Sequence, residues 1–319
     1  SNGPSMIPSF APSLLPSASP SVAPSENPSF LPSASPSIQP TTCYMTDVDR
    51  FIAVGLVRYI GRDSSRVGIA METPECGSIA MFDDLQTFNN KNTATSRVHD
   101  ISSSGFYSFV QGEQSAGDGL INSKEILGVF IMNEGLLHDS SSAIVGEVGR
   151  IKISSGRSLT WFSKSDFLAG RYVNPVVIVR LNSYTERDPC HIRLRNVGFD
   201  SFEYALEEWQ YLDQIHSEQE VVYMIVESGT HLLSNGRTLF AGVQRDEQLN
   251  RDSDRLTLAL PFSSSPVVLS QVQTFNDPNP VVTRMDSIGS SSVSILMQEE
   301  ESQGQTHGEE MIGFISYGR

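Results

Sequence analysis

The chain has 319 residues, with 22 basic and 37 acidic side chains, a formal charge of −15 at neutral pH and a hydrophobic content of 39%. So acidic a surface excludes nucleic acid and an anionic membrane as natural partners, because both repel it. No apolar run is long enough to span a membrane and no apolar signal region is present, and the chain starts at a serine, so it reads as processed or as a fragment.

The first element is an arm over residues 1–42. A proline falls on every fourth position from Pro4 to Pro40, each followed by serine except the last, which precedes Thr41. Proline fixes φ, removes a backbone donor and pushes its predecessor toward extended geometry, so helix and ladder strand are excluded and polyproline II is expected. At about 3.1 Å per residue such a rod reaches on the order of 110 Å. Hydroxyls at Ser5, Ser9, Ser13, Ser17, Ser21, Ser25, Ser29, Ser33, Ser37 and Thr41 would face all its sides. Serine and threonine beside proline is the composition of O-glycosylated stalks, which makes these ten the candidate attachment sites. Phe10, Leu14, Leu15, Phe30 and Leu31 are too large and apolar for a solvating spacer and read as assembly anchors. The arm resembles the Pro-Ser tetrapeptide repeats of secreted algal cell-surface and fibril proteins.

The body repeats three times. Phe88, Tyr184 and Phe275 mark one place in each copy, Arg97, Arg193 and Arg284 follow nine residues later, and Phe106, Phe202 and Val293 nine after those. Period-two alternation in FYSFVQ, FEYALE and VSILMQ predicts half-buried strands. Each copy then closes on a strand apolar on both faces, aligned here on Glu125, Glu220 and Glu310, which should be central in its sheet. Asn89-Asn90, Asp188-Pro189, Asn276-Asp277-Pro278 and Asn235-Gly236 supply turn chemistry between strands. About six short strands per copy predict three tandem antiparallel β-sandwiches, over residues 43–138, 139–230 and 231–319. The predicted class is therefore all-β, with an extended arm in front.

The order Pro-Val-Val, an arginine-bearing strand, an aromatic opening the next strand, an acid-rich turn and a final apolar strand resembles the H-type lectin fold. That resemblance implies a six-stranded sandwich, assembly in threes, and binding of N-acetylgalactosamine-like sugars. An aromatic beside the sugar in that family corresponds to Trp209 in the second repeat, whereas Gly112-Glu113 and Glu299-Glu300 stand there in the other two. Three units in one chain would then form a pseudo-trimer.

Candidate chemistry is sparse. Trp209, Tyr211 and His216 could form a stacking platform for a pyranose, with the Arg193 guanidinium forking to hydroxyls. The plainer expectation pairs the three arginines with the turn acids Glu113, Glu208 and Glu300. The six histidines lack metal-ligand spacing, and the acid runs at 299–301 and 309–310 read as solvated turns. Calcium loops at Asp83-Asp84 or at 277–279 are conceivable without EF-hand spacing. No nucleophile elbow, P-loop or dinucleotide fingerprint occurs, so neither an enzyme nor a cofactor is expected. Cys43 and Cys76 could pair in an oxidising compartment, leaving Cys190 over. The sequence thus points to a secreted structural subunit of a fibril, appendage or matrix that self-assembles through its arm. A carbohydrate-binding module on an O-glycosylated stalk, with Trp209, Arg193, Tyr211 and His216 as its site, is the alternative.

Overall fold

The structure, a computed structural model, describes residues 51–61, 65–68, 78–115, 123–153, 159–245, 255–303 and 306–319. The proline arm, with its candidate glycosylation sites and anchors, lies outside the described residues, as do Cys43 and Cys76. The described residues form strands and turns with no helix, and every strand pairing is antiparallel.

The first repeat contains β1 (Phe51–Ile60), β2 (Ser65–Gly68), β3 (Ile79–Leu85), β4 (Ala94–Ser102), β5 (Gly105–Gly112) and β6 (Glu125–Asn133), in sheets ordered β1-β6-β3 and β2-β5-β4. The second contains β7 (Gly135–His138), β8 (Ile144–Ile153), β9 (Phe162–Lys164), β10 (Pro175–Leu181), β11 (Cys190–Arg195), β12 (Phe202–Glu208) and β13 (Gln219–Glu227), in sheets β10-β13-β8-β7 and β11-β12-β9. The third contains β14 (Gly229–Leu232), β15 (Thr238–Arg245), β16 (Leu256–Ala259), β17 (Val267–Val272), β18 (Val281–Ile288), β19 (Ser292–Glu299) and β20 (Met311–Gly318), in sheets β14-β15-β20-β17 and β16-β19-β18. The two sheets of each repeat thus use the same strands in the same order, and β7 and β14 each add a hairpin edge.

Strand phase explains the packing. In β12, Phe202, Tyr204 and Leu206 point into the second repeat's own core, where they meet Val221, Tyr223 and Ile225 of β13 and Val177 and Val179 of β10. The alternate residues of β10 and β13, Val176, Ile178, Val222, Met224 and Val226, join a different cluster. That cluster also takes Ala80, Phe82, Phe130 and Met132 from the first repeat and Leu239, Val267, Leu269 and Ile315 from the third. The sheets built around β6, β13 and β20 therefore bury their outer faces against one another. Strands β6, β13 and β20 are apolar on both faces because each separates a private core from this shared one. Phe82, Phe130, Ile178 and Met224 are fully buried there, and full burial of such a side chain contributes about 1.5–3 kcal/mol. Residues 44–319 accordingly cluster as one unit.

Register corrects one alignment. Ile79 faces Asn133 and Pro175 faces Glu227 across their ladders, so Glu125 corresponds to Gln219 and not to Glu220. A one-residue slip turns a strand position to the opposite face. Gln219 is 1% exposed, whereas Glu220 lies at a half-buried surface and takes a hydrogen bond from the Arg150 guanidinium.

Candidate functional site

The polar groups that chemistry would draw on gather where the repeats meet. Along β11, Cys190, Ile192 and Leu194 face the private core, so His191 and Arg193 face out of the sandwich toward the next repeat. The same phase on β4 and β18 turns out Arg97 and Arg284. All three arginines are 1–2% exposed.

Each arginine reaches into the following repeat, and the third reaches into the first. Arg97 donates to the carbonyl of Ser183 at 3.1 Å, and its guanidinium lies 5.2 Å from the Tyr184 ring centre. Arg193 donates to the carbonyls of Asn279 (2.8 Å) and Asp277 (3.3 Å), lies over Phe275 at 4.8 Å and is 3.5 Å from the Glu310 carboxylate. Arg284 donates to Glu125 at 3.1 Å and to the carbonyl of Thr87 at 3.2 Å, and lies over Phe88 at 5.1 Å. The aromatics aligned in the sequence are thus the lids of these clamps, through the attraction of a cation to a ring face. From its own repeat each arginine also has Gln111, Glu207 or Gln298 beside it, at one repeat position. Their partners are therefore not the expected turn acids Glu113, Glu208 and Glu300.

A second set of contacts runs the opposite way around the ring. Gln86 accepts the N–H of Val268 (3.0 Å) and donates to its carbonyl (2.7 Å). Asn182 does the same to Met81 at 3.0 and 2.6 Å, and Gln273 to Val177 at 3.0 and 2.7 Å. These backbone groups belong to β3, β10 and β17, each the edge of its sheet. A side-chain amide carries the donor and acceptor of a peptide group, so each edge is capped as though by one residue of a further strand. Gln86 and Gln273 lie over Gly128 and Gly313, where an added Cβ would stand 2.5 and 2.6 Å from the amide carbon. Where the amide is the shorter Asn182, Val222 replaces the glycine.

At the junction of β3, β10 and β17 the equivalent positions hold Asp84, Arg180 and Gln271. Arg180 donates to Asp84 at 3.1 Å, to Gln271 at 3.1 Å and to the carbonyls of Asp83 and Ser270 at 2.7 and 2.8 Å. Burial pushes the Asp84 carboxyl up to about 6, against the pull of Arg180. The adjoining cavity of about 80 Å³ is lined from all three repeats, including Asp83, Arg97, Cys190, His191, Arg193 and Arg284. The Asp83-Asp84 pair therefore serves the junction between repeats, and Cys190 is a buried free thiol whose sulfur accepts from Arg97 at 3.3 Å.

The turns at 113–115, 209–214 and 299–303 meet as well. Glu113 and Glu300 occupy the repeat position of Trp209, and all three residues are 1–2% exposed. The N–H of Glu301 donates to Glu113 at 3.0 Å, that of Gln210 to Glu300 at 2.6 Å, and the Tyr211 hydroxyl to the Glu113 carbonyl. The acid run at 299–301 is therefore a joint between repeats and not a solvated turn. In the third repeat His307 sits between Glu299 (2.8 Å) and Glu310 (3.2 Å). Burial alone would lower the imidazole's pKa, but bonds to the two carboxylates raise it above its ordinary value. Burial by itself raises Glu310, yet His307, Thr274 and Arg193 hold it below the usual carboxylate range.

Of the residues expected to hold a sugar, Trp209 is 2% exposed with its ring 4.9 Å from that of His191, and Arg193 is closed into its clamp. His216 is 3% exposed, with Nδ1 3.1 Å from Glu186 and 3.2 Å from the Gln219 amide. Tyr211 is 42% exposed. Arg193 is buried because the face a lone sandwich would offer to solvent is covered here by the third repeat, and Trp209 begins the turn whose Gln210 and Tyr211 bond to the other two repeats. Sequence reasoning passed over Gln86, Asn182 and Gln273, although an amide at one position in all three repeats was a signal within reach.

Over 157 residues, 46% of its length, the chain is 32% identical to halomucin of Haloquadratum walsbyi. It spans 2% of that protein. No protein-family profile and no solved structure matches it.

Proposed function

We propose that this chain is a structural subunit of an extracellular glycoprotein fibril, surface appendage or matrix, in which the three-repeat body is a rigid block and the Pro-Ser arm is the connector. The observation that carries the reading is the cyclic closure: the arginines, edge amides and buried acids that chemistry would need are bonded from one repeat to the next. Such an arrangement yields a stiff particle. The arm supplies what the block lacks, since polyproline II leaves its backbone without internal hydrogen bonds and lets Phe10, Leu14, Leu15, Phe30 and Leu31 seek grooves on a neighbouring subunit. A contact of that kind is heterologous and does not close, so it propagates into a filament. The hydroxyls of Ser5 through Thr41 beside their prolines would carry an O-linked sugar coat on this arm, and the name of the similar protein, halomucin, is compatible with an extracellular reading of the chain. The resemblance to H-type lectins supports the threefold block more than a sugar site, because Tyr211 alone of the four expected residues is exposed. Deleting residues 1–40 should leave folded, soluble particles that form no filaments in electron micrographs. Normal filaments from that deletion would overturn the proposal.

A further inference from the structure

Three carboxylates of the second repeat converge outside the clamps. Asp188 lies in the loop from β10 to β11, Glu208 ends β12, and Asp213 lies in the loop that leads on to β13. One carboxylate oxygen from each lies within 4.8 Å of the others. Two oxygens bound to one Ca²⁺ at about 2.3–2.6 Å can be at most about 5 Å apart, so the three are already within the span of a single ion.

Glu208 supplies the second, independent observation. Its residue is 2% exposed, Oε2 accepts the N–H of Gln214 at 2.9 Å, and Oε1 is buried with no hydrogen-bond partner. A buried carboxylate oxygen without a donor is costly, and it is more so with two further carboxylates beside it. Among the described residues no arginine or lysine forms an ion pair with Asp188, Glu208 or Asp213. The nearby positive group is His216, which attracts Glu208 while Asp188 and Asp213 repel it.

The other repeats resolve the same place differently. In the third, Glu299 stands at the position of Glu208, and His307 bonds it and Glu310 together. Asn279 replaces Asp188 there, so one carboxylate is exchanged for an amide. In the first repeat Gly112 and Asn92 occupy the two positions and no carboxylate pair arises. Among the described residues, the second repeat brings three carboxylates together, whereas the comparable group of the third repeat is Asp277, Glu299 and the imidazole of His307.

We infer that Asp188, Glu208 and Asp213 form a binding site for a hard divalent cation of the Ca²⁺ type, which fastens the 209–214 turn to the loop before β11. Oxygen donors with a high formal charge select such an ion over the softer transition metals. The site is separate from the structural proposal above, and its test does not depend on filaments.

The test uses the full chain stripped with chelator and titrated with CaCl₂ by calorimetry, and in parallel with Tb³⁺, whose emission Trp209 and Tyr211 are close enough to sensitise. One saturable site is expected. Asp213→Asn, at an exposed position, should weaken binding about tenfold or more through the lost ligand charge, and Asp188→Asn should do the same. Glu208→Gln should abolish binding, and if that buried change prevents folding the two aspartate variants decide the matter. Absence of both heat and terbium emission from the wild-type chain, or wild-type affinity in both aspartate variants, would overturn the assignment.

Discussion

Replacing Arg193 by methionine probes the clamp most sharply. Methionine keeps the length and the apolar stem but removes the donors and the charge. The carbonyls of Asn279 and Asp277 would lose their partners, and Glu207 and Glu310, 3% and 0% exposed, would lose the guanidinium 3.5 Å away. Removing one partner of a buried ion pair costs about 3–5 kcal/mol, because the remaining charge stays desolvated. The loss of the Phe275 contact lies within that range and is not added to it. Arg284→Met leaves Glu125, also fully buried, and should cost about as much. Arg97→Met should cost less, since its hydrogen-bond acceptors are Gln111, Cys190 and a carbonyl, without a carboxylate. Arg245→Met is the control, because its pair with Glu309 is largely exposed and worth about 0–1 kcal/mol. Urea unfolding of the four variants measures the order. Arg193→Met indistinguishable from Arg245→Met, or Arg97→Met costlier than both other clamp variants, would refute the reasoning.

Gly313→Val should destabilise by about 1–3 kcal/mol through contact with the Gln273 amide, and adding Gln273→Asn should recover part of the loss, because the second repeat already uses the Asn-Val combination; additive losses in the double-mutant cycle would contradict this. Gln86→Leu should speed hydrogen exchange at the Val268 amide, which loses its acceptor, and unchanged protection there would show that the amide cap does not hold β17. The His307 pKa is raised in the fold, so its contribution to stability is complete below about pH 6.5 and is lost as pH rises through the folded value. Glu310 is depressed, so its contribution is present above about pH 4.3 and is lost as pH falls through the folded value. Melting temperatures of the wild type and His307→Gln across pH 5–9 should therefore converge on the alkaline side, and a constant gap would count against the bridge.

The strands were legible because period-two alternation is a local property, and the internal repeat exposed their order. The doubly apolar strands also announced a second buried face, though not that two other repeats would cover it. The arginines could be found at their common position, but their partners lie in another repeat, 86 residues away in chain order between Arg193 and Asn279. Composition could not supply that pairing. The same distance hid the role of Glu300, whose charge looks solvated until Gln210 is brought to it. At Glu220 residue identity and strand phase point to different positions, and it is Gln219 that holds the inward one. A tryptophan at a strand end suits either a stacking face or a buried cap, and the sequence leaves both open for Trp209; its burial becomes visible only in the folded chain.

The central claim is that three sandwiches close into a single block. Scanning calorimetry of the full chain tests it most directly, because the private cores would melt separately if the shared core and the clamps did not couple them. One body transition is predicted, with a van't Hoff enthalpy equal to the calorimetric enthalpy. Two or three resolved transitions, each carrying the enthalpy of one repeat, would contradict it.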